Sequence, residues 1–511
     1  MNVDPLAHIT RISEIPAYWA RTTPDAPALW ENDRPVPYRV LDRAIAAARA
    51  MLRASGVGPG DRVAVVGENS LELVALLFAS ACIDAWPLVL NARLAPREID
   101  ALLELAGPRL ICFTSDVSPE ARAHADRLGG KLWCSAGLWP RGDAGIHILV
   151  STGPVDPKED NPEVALLLAT SGSTGAAKAV MVTHRGLLHF CRVSRTARDL
   201  RADDVVYAVL PMSHIFGLGT LLMVSLYGGA SLYLAPRFTP EGLLDAVHSC
   251  GISMLFGVPA LYTRLLQHIR EAGAQGLGVH RVRYAYVGAA ALELSLKREF
   301  ESRFGCRIHH GWGMTEYAGS MAITRVDRHR DDIAVGYPNE GCELRLIDKD
   351  GHPAAAGEVG EIWIRGPGLM AGYYRAPELT DQVMRPGGWF NTGDLGHLGE
   401  DGALFIVGRA KDMIIRSGFN VYPAEVEAAL HAHPSIRLAA VFGRREPNGN
   451  EAVVACIERV PSAELDREAL NAHLRDQLAP YKLPSEIIEW PVLPLLANGK
   501  IDKKPLRERH A

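Results

Sequence analysis

The chain has 511 residues, of which 48% are hydrophobic and 22% charged, and its formal net charge is -5. This length predicts several domains or subdomains with ample hydrophobic core. Because the sequence contains no basic block and no basic patch interleaved with aromatic residues, it does not indicate nucleic-acid binding. The eight cysteines are scattered without a C-x-x-C pair, which predicts buried thiols in a reducing compartment.

The N-terminal segment MNVDPLAHITRISEIPAYW has no basic region followed by an apolar one, so we expect no signal peptide. The most apolar window, residues 218–235, is interrupted by Gly228 and Gly229. Its length and its polar interruptions predict a buried helix, a turn and a core strand, and no membrane span. Together these features predict a cytoplasmic protein.

Helix-like and strand-like segments alternate along the first part of the chain. Residues 38–54 and 71–83 carry apolar side chains at helical spacing. The candidate strands are 62–66, 109–114, 205–210, 231–234, 253–256 and 283–287. This alternation predicts parallel sheets with helices on both faces, and ligands at the carboxyl ends of the strands.

The residue pattern of the sequence changes near residue 335. From there to residue 407, short alternating strands are punctuated by glycine and proline, which predicts a small antiparallel or barrel-like subdomain. Beyond Gly408 the chain becomes charged and helical again. We therefore predict an α/β protein with a domain boundary after residue 408, giving a large unit, 1–408, and a C-terminal α+β unit, 409–511, of typical domain size.

A glycine- and hydroxyl-rich stretch, TSGSTGAAK, follows the apolar run 166–169. Its two glycines let the backbone approach an anion, its hydroxyls can surround phosphate oxygens, and its lysine adds a point charge. The spacing differs from that of the common nucleotide P-loop. The candidate phosphate-binding residues are Thr170, Ser171, Gly172, Ser173, Thr174, Gly175 and Lys178.

Further clusters follow at predicted strand ends or in loops. LPMSH places His214 just past a strand, and GWGMTE combines the aromatic ring of Trp312 with the carboxylate of Glu316, a ligand type that Mg²⁺ prefers. NTGD places Asp394 in a loop, where a carboxylate can accept two ribose hydroxyls. GRAKD and NGKID, residues 408–412 and 498–502, bracket the C-terminal unit. Each cluster alone also fits a turn or a core residue.

In this order, the motifs resemble those of the adenylate-forming superfamily of acyl-CoA synthetases, adenylation domains and luciferases, over nearly the whole chain. TSGSTGAAK resembles the phosphate loop, LPMSH the fourth core motif, GWGMTE the fifth and NTGD the ribose motif. GRAKDMIIRSGFNVYPAEVE resembles the hinge segment, and LPLLANGKIDKKPL the terminal lysine motif. The resemblance implies two doubly wound α/β subdomains, a small β subdomain and a mobile C-terminal domain.

The resemblance also implies roles for individual residues, with ATP, Mg²⁺ and coenzyme A as cofactors. Lys500 would bridge the acyl carboxylate and the α-phosphate, Thr315 would contact the α-phosphate, and Glu316 would bind Mg²⁺. The C-terminal domain would rotate about Lys411 and bring the segment of Gly418 to a pantetheine tunnel. The nucleotide-binding set implied beside the phosphate loop is Gly288, Ala289, Ala290, Trp312 (against adenine), Gly313, Met314, Thr315, Asp394 (on ribose) and Arg409.

The residues expected to contact the acid are apolar or small, apart from one histidine, which suits a hydrocarbon or aryl tail. They are His214, Ile215, Phe216, Gly217, Gly288, Gly311 and Met314. Residues 211–217 contain no acidic side chain, where amino-acid adenylation domains carry Asp, so a free α-amino acid is disfavoured. Malonate-activating relatives carry Arg at the position of Gly311; a dicarboxylate is therefore disfavoured, and Gly311 is expected to leave room for a longer or wider acid.

The predicted activity is that of an acid–thiol ligase, with His214, Thr315, Glu316 and Lys500 as catalytic residues and a fatty or aryl acid as substrate. The enzyme would form an acyl-adenylate and pass the acyl group to CoA. An alternative is a stand-alone adenylation enzyme that loads a carrier protein, because NGKID is more usual in amino-acid-activating domains. A non-catalytic nucleotide-binding relative is the third hypothesis, and the sequence also leaves a homodimer open.

Overall fold

Two large sheets and a smaller antiparallel sheet carry most of the chain. The computed structural model describes residues 4–134, 145–150, 161–171, 177–273, 276–416, 419–446, 450–460, 464–496 and 500–510. The predicted 38–54 helix is present with the predicted bounds, and most predicted strands begin or end within two residues of their expected positions.

The strands are distributed over the whole described chain. The first nine are β1 (Pro27–Glu31), β2 (Arg34–Pro37), β3 (Arg62–Gly67), β4 (Trp86–Asn91), β5 (Leu110–Phe113), β6 (Lys131–Cys134), β7 (Gly145–Val150), β8 (Val164–Ser171) and β9 (Ala177–Thr183). Next come β10 (Val205–Ala208), β11 (Ser231–Leu234), β12 (Met254–Gly257), β13 (Tyr284–Val287), β14 (Ile308–Met314), β15 (Gly319–Ile323), β16 (Tyr337–Pro338), β17 (Glu343–Ile347) and β18 (Gly360–Arg365). The last are β19 (Met384–Arg385), β20 (Trp389–Leu398), β21 (Leu404–Arg409), β22 (Ile414–Arg416), β23 (Phe419–Val421), β24 (Ile436–Arg445), β25 (Glu451–Arg459) and β26 (Glu486–Glu489).

The helices alternate with the strands in the large sheets. They are α1 (Glu14–Thr22), α2 (Tyr38–Ala54), α3 (Leu71–Ala81), α4 (Pro96–Ala106), α5 (Pro119–Leu128), α6 (His184–Ala197), α7 (Val224–Tyr227), α8 (Pro240–Ser249), α9 (Pro259–Glu271), α10 (Leu294–Phe304), α11 (Pro377–Val383), α12 (Pro423–His431), α13 (Arg467–Gln477) and α14 (Lys503–His510). A π-helical segment, Phe216–Met223, runs into α7. Within the described chain, no helix is long and apolar enough to cross a membrane.

Parallel strands form the centres of both large sheets, as predicted, and antiparallel strands form their edges. The seven-stranded order is β6-β7-β5-β3-β4-β8-β9, and the nine-stranded order is β16-β15-β14-β13-β12-β10-β11-β1-β2. One continuous cluster of buried apolar side chains joins the two sheets, and every residue of α3 is buried in it or beside it. The antiparallel edges were not predicted; one of them, the β8–β9 hairpin, carries the glycine-rich loop.

The small subdomain has the antiparallel character that its glycine-punctuated sequence predicts. Its sheet has the order β17-β18-β20-β19, with β21 added beside β20, and all of these pairs are antiparallel. The C-terminal part contains the β22–β23 hairpin and the three-stranded sheet β24-β25-β26 with α12 and α13. The predicted boundary after residue 408 falls at the end of β21, and a short 3₁₀ turn, Ala410–Asp412, follows.

Candidate active site

The predicted site residues lie where loops leave the carboxyl ends of neighbouring parallel strands. The loop with His214 follows β10, and Gly288 follows β13. These strands belong to one sheet, in the order β13-β12-β10. Trp312 lies on the adjacent strand β14, so this edge of the sheet collects side chains that are far apart in the sequence.

Asp394 is the centre of a buried group of polar side chains. It lies on β20, is 5% exposed, and stands opposite Arg409 in the pairing with β21. Arg409 Nε lies 2.5 Å from Asp394 Oδ1, and Trp312 Nε1 donates a hydrogen bond to Oδ2 at 2.7 Å. Burial raises the pKa of Asp394, while Arg409, the Trp312 hydrogen bond and Lys500 counteract that rise. The carboxylate is therefore fixed in position by donors on both oxygens.

Lys500 belongs to the same group, although more than ninety residues of sequence separate it from Arg409. Burial and the charge of Arg409 lower the pKa of Lys500, and the carboxylate of Asp394 raises it. A backbone hydrogen bond 2.7 Å long runs from Leu496 N to Lys500 O. The C-terminal segment is thus docked against the residues expected to bind the nucleotide.

His214 faces this cluster as a neutral imidazole. Its Nδ1 accepts the backbone N–H of Phe216 at 3.3 Å, which leaves the ring proton on Nε2. Burial, together with the charge of Lys500, lowers the pKa of His214 to about 4. At neutral pH this side chain can donate a hydrogen bond from Nε2, but it adds no positive charge.

A second group lies around Glu316. The hydroxyl of Tyr373 donates to Glu316 Oε1 at 2.8 Å, and Lys178 Nζ lies 4.2 Å from the centroid of the Tyr373 ring. Tyr373 thereby connects the predicted phosphate-binding lysine with the predicted metal ligand. Sequence reasoning missed Tyr373; the available signal was the Gly372-Tyr373-Tyr374 run, whose spacing does not distinguish it from a core segment.

Part of the predicted phosphate loop lies outside the described residues, namely Gly172, Ser173, Thr174 and Gly175 together with the side chain of Ser171. Its two ends are described. Thr170 lies on β8 opposite Lys178 on β9, and its hydroxyl oxygen is buried with no hydrogen-bond partner in the described part of the chain. A buried hydroxyl without a partner fits a site that an oxygen-rich ligand completes.

The predicted adenine loop has a strained backbone. Ala289 has φ of 67°, in the left-handed region that alanine rarely adopts, and Ala290 beside it is exposed. Farther along, Thr315 is buried, Met314 is partly buried and Gly313 is exposed. A Cβ at Gly313 would lie 2.5 Å from a backbone oxygen of β15, so the approach of β14 and β15 requires glycine there.

The space beside Gly311 is filled, so the expectation that this glycine leaves room for a longer or wider acid is wrong. A Cβ placed at Gly311 would lie 2.1 Å from the hydroxyl oxygen of Tyr286. Tyr286 projects from the neighbouring strand β13, and its ring packs edge-to-face against Phe216 with a centroid distance of 5.8 Å. Gly288 faces the same two rings, at 3.0 and 3.2 Å from its would-be Cβ. Phe216 and Tyr286 therefore form an aromatic wall at the expected acid pocket.

Two other predicted positions do not join this wall. A Cβ at Gly217 would meet the carbonyl oxygen of Pro211 at 2.1 Å, so this glycine allows the π-helical segment to approach the preceding loop. Ile215 is buried at the start of that segment. Two further residues were predicted in the hinge segment. Lys411 is exposed on the turn Ala410–Asp412, and Gly418 lies outside the described residues.

Comparison with known proteins identifies the class of this fold and site. The family model described as "AMP-binding enzyme" matches residues 17–374, and the model "AMP-binding enzyme C-terminal domain" matches residues 425–500. The chain belongs to this family, the adenylate-forming superfamily that its motifs predict.

Several of its relatives within the family are CoA ligases. The chain is 33% identical over 503 residues to a feruloyl-CoA synthase of an Amycolatopsis species, which covers 97% of this chain and 98% of the relative. It is 33% identical over 460 residues to the sulfoacetate–CoA ligase of Cupriavidus necator, covering 89% and 88%. ATP-bound MatB from Rhodopseudomonas palustris superposes with a TM-score of 0.84 at 30% identity, covering 98% of this chain and 99% of that one. The predicted class, an ATP-dependent, AMP-forming acyl-CoA synthetase with a large N-terminal and a small C-terminal domain, is confirmed.

Proposed function

We propose that this enzyme activates a carboxylic acid with ATP to an acyl-adenylate and then transfers the acyl group to coenzyme A. The observation that carries the proposal is the cluster in which Lys500, from the C-terminal segment, lies within electrostatic reach of Asp394, Arg409 and His214. A family resemblance alone predicts these residues one by one. Because they lie together at one buried position, all of them can act on the same bound nucleotide and acid.

In the first half-reaction, a carboxylate oxygen of the acid attacks the α-phosphorus of ATP and pyrophosphate leaves with the electrons of the broken P–O bond. Two anions must approach each other, so positive charge has to offset their repulsion. Lys500 supplies that charge between the acid and the α-phosphate. Asp394 accepts the ribose hydroxyls and is held in place by Trp312 and Arg409.

The phosphate end has its own groups. Lys178 and the buried hydroxyl of Thr170 flank the glycine-rich loop and would bind the β- and γ-phosphates. Glu316 would bind Mg²⁺, which would neutralise phosphate charge. The residues fit such an ion, because Glu316 offers a carboxylate that Tyr373 orients, and Mg²⁺ characteristically takes one or two carboxylates plus phosphate oxygens.

In the second half-reaction, the thiol of coenzyme A attacks the acyl carbonyl, and AMP leaves. Lys500 occupies the position that the first step needs, so we propose that residues 409–511 rotate about Lys411 and bring the segment of Gly418 to the site. The turn at the predicted pivot is tied to the last helix, because Arg507 on α14 pairs with Asp412 at 2.8 Å. That ion pair would move the turn and α14 as one body.

The proposed substrate is an aryl or other compact acid rather than an acid with a long alkyl chain, because Tyr286 closes the space beside Gly311. An ATP–pyrophosphate exchange screen over aryl, short and long carboxylic acids tests the first half-reaction. Thioester formation is then measured with coenzyme A alone and with a phosphopantetheinylated carrier protein alone. Acyl transfer to the carrier but not to coenzyme A would overturn the proposed acceptor, and no exchange with any acid would support the non-catalytic alternative.

The cytoplasmic location and the homodimer stay predictions.

A further inference from the structure

The C-terminal unit has hydrophobic cores of its own. Two clusters of buried apolar side chains are formed only by residues between 414 and 506, and the four other clusters lie entirely within residues 6–404. A cavity of about 290 Å³ lies between Arg437 on β24 and the helices α8 and α9. Because no apolar cluster of the described residues joins the two units, polar contacts have to fix the orientation in which the C-terminal unit docks.

One of these polar contacts joins His431 to Glu293. His431 is the last residue of α12, in the C-terminal unit, and Glu293 immediately precedes α10, in the large unit. Nδ1 of the imidazole contacts Oε1 of the carboxylate. The two side chains are only 18% and 24% exposed, so solvent screens this contact less than it screens a pair on the open surface.

The fold of the C-terminal unit itself directs the proton of His431 towards Glu293. The backbone N–H of Ala439, on β24, donates to His431 Nε2 at 2.8 Å. Since Nε2 accepts this hydrogen bond, the neutral imidazole carries its proton on Nδ1, the atom that faces the carboxylate. The donor is therefore oriented before the two units meet, and it loses little side-chain freedom when they do.

Glu293 connects this contact to the nucleotide site. It follows the predicted adenine loop, 288–290, by three residues, and its extended backbone forms the N-cap of α10. Its carboxylate makes no capping hydrogen bond to that helix, so the side chain is available to His431. Its backbone belongs to the segment that leads from Ala289, with its φ of 67°, into the helix.

We propose that Glu293 and His431 are positioning residues of the first half-reaction: their contact holds the C-terminal unit in the orientation in which Lys500 lies beside Asp394. The contact has to open before residues 409–511 can rotate for the attack of the coenzyme A thiol. This inference rests on the proposed two-step function. The pair sets the fraction of molecules in which Lys500 is in place, and it leaves the chemistry of each step unchanged.

The position of the contact separates this role from a purely structural one. Each partner belongs to a unit with its own core, so breaking the contact removes no apolar cluster from either unit. A contact that only stabilised the fold would affect both half-reactions alike. A contact that holds the docked orientation supports adenylate formation, and its loss favours the orientation that thioester formation needs.

The first test removes the two partners singly and together. Glu293→Ala and His431→Ala should each lower the rate of ATP–pyrophosphate exchange by about tenfold, which corresponds to the loss of one charge-assisted hydrogen bond. The double variant should lose no more than the single variants, because the same contact is broken in all three. Thioester formation from supplied acyl-adenylate, measured in a single turnover, should stay at the wild-type rate or rise.

The matched control for these variants breaks a polar pair inside the C-terminal unit. Glu486→Ala removes the partner of Arg444, whose Nη1 donates to the carboxylate at 2.7 Å, and it should leave both rates unchanged. Unchanged exchange in the single variants, additive losses in the double variant, or equal losses in both half-reactions would overturn the inference. Failure of the proposed function is recognised separately, because the wild type itself would then show no exchange with any acid.

A covalent link gives a second test that does not depend on the chemistry of the two side chains. In the Glu293→Cys/His431→Cys protein, a short bifunctional thiol reagent should join the two positions, whereas neither singly substituted protein should give this link. The link should restore exchange towards the wild-type rate and abolish thioester formation from supplied acyl-adenylate, because the C-terminal unit can no longer rotate. A linked protein that still forms the thioester, or a doubly substituted protein that does not link, would contradict the inference.

Discussion

The nucleotide end and the acid end of this site both bury charge, but they compensate it differently. At the nucleotide end, Asp394 receives donors from Trp312 and Arg409 and lies within electrostatic reach of Lys500. At the acid end, the buried guanidinium of Arg198 lies over the rings of Phe190, Phe256 and Tyr286, and its charge opposes the rise that burial causes in the pKa values of Tyr284 and Tyr286. The first region offsets its charge with ion pairs and charge-assisted hydrogen bonds that are in place before a ligand arrives, whereas the second offsets its charge with neutral aromatic side chains.

The most severe test of the nucleotide end is Lys500→Ala. We expect acyl-adenylate formation to fall by about 100- to 1,000-fold, since a preorganised charge at a developing anion contributes roughly that much. Thioester formation from supplied acyl-adenylate should change far less, because Lys500 is not needed once pyrophosphate has left. Pyrophosphate exchange measures the first step and single-turnover thioester assays the second. Lys504→Ala, an exposed lysine on α14, is the control; equal losses in both steps would contradict the proposed domain rotation.

The second test removes the negative charge at the centre of the cluster. Asp394→Asn keeps the shape of the side chain but weakens its hydrogen bonds to Arg409 and to the ribose, each of which is charge-assisted. A loss of about 2 kcal/mol is expected, which lowers kcat/KM for ATP by about 30-fold. Steady-state kinetics with ATP as the varied substrate measures it, and Asp381→Asn, an exposed acid on α11, should behave as the wild type. An unchanged kcat/KM would show that Asp394 only stabilises the sheet.

The third test concerns the link between Lys178 and Glu316. Tyr373→Phe removes the hydroxyl that donates to Glu316 Oε1 and keeps the ring under the lysine. The loss of one such hydrogen bond corresponds to about 1 kcal/mol, hence about fivefold in kcat/KM at limiting Mg²⁺. A Mg²⁺ titration of the exchange rate measures the effect. Tyr374→Phe changes the neighbouring ring in the same way and should leave the Mg²⁺ dependence unaltered.

The smallest expected effect is a shift in the titration of His214. Because burial and Lys500 both lower its pKa, to about 4, Lys500→Gln should raise that pKa by removing one of the two causes. The folded pKa of His214 lies below its unfolded value of about 6.5. The free energy of unfolding is therefore unaffected by His214 above about pH 6.5, and it decreases as the pH falls from about 6.5 towards 4. Histidine NMR titration of the wild type and Lys500→Gln measures the shift. No change would mean that Lys500 does not lie beside the imidazole.

The nucleotide end was largely predictable from the sequence, and the acid end was not. Lys500, Asp394 and Trp312 stand in motifs whose order is itself informative, so their convergence could be expected before any fold was known. Tyr286 fills the space beside Gly311 because β13 and β14 pair in parallel with Tyr286 opposite His309. A strand register of this kind is not encoded in a short motif, and neither is the position of Arg198 at the end of α6. The hairpin that carries the phosphate loop was missed for the same reason.

The π-helical segment Phe216–Met223 bears on how this enzyme could change over evolutionary time. A π-helix contains an extra residue relative to the α-helix from which it arises, so an in-frame loss of a single codon within 216–223 can be absorbed without moving either end. Such a loss would rotate side chains between the two ends of the segment by up to about 100° about the helix axis, and so change which of them project beside the rings of Phe216 and Tyr286. Lineages descended from this chain could therefore acquire a new acid preference through a change in length, without replacing any side chain.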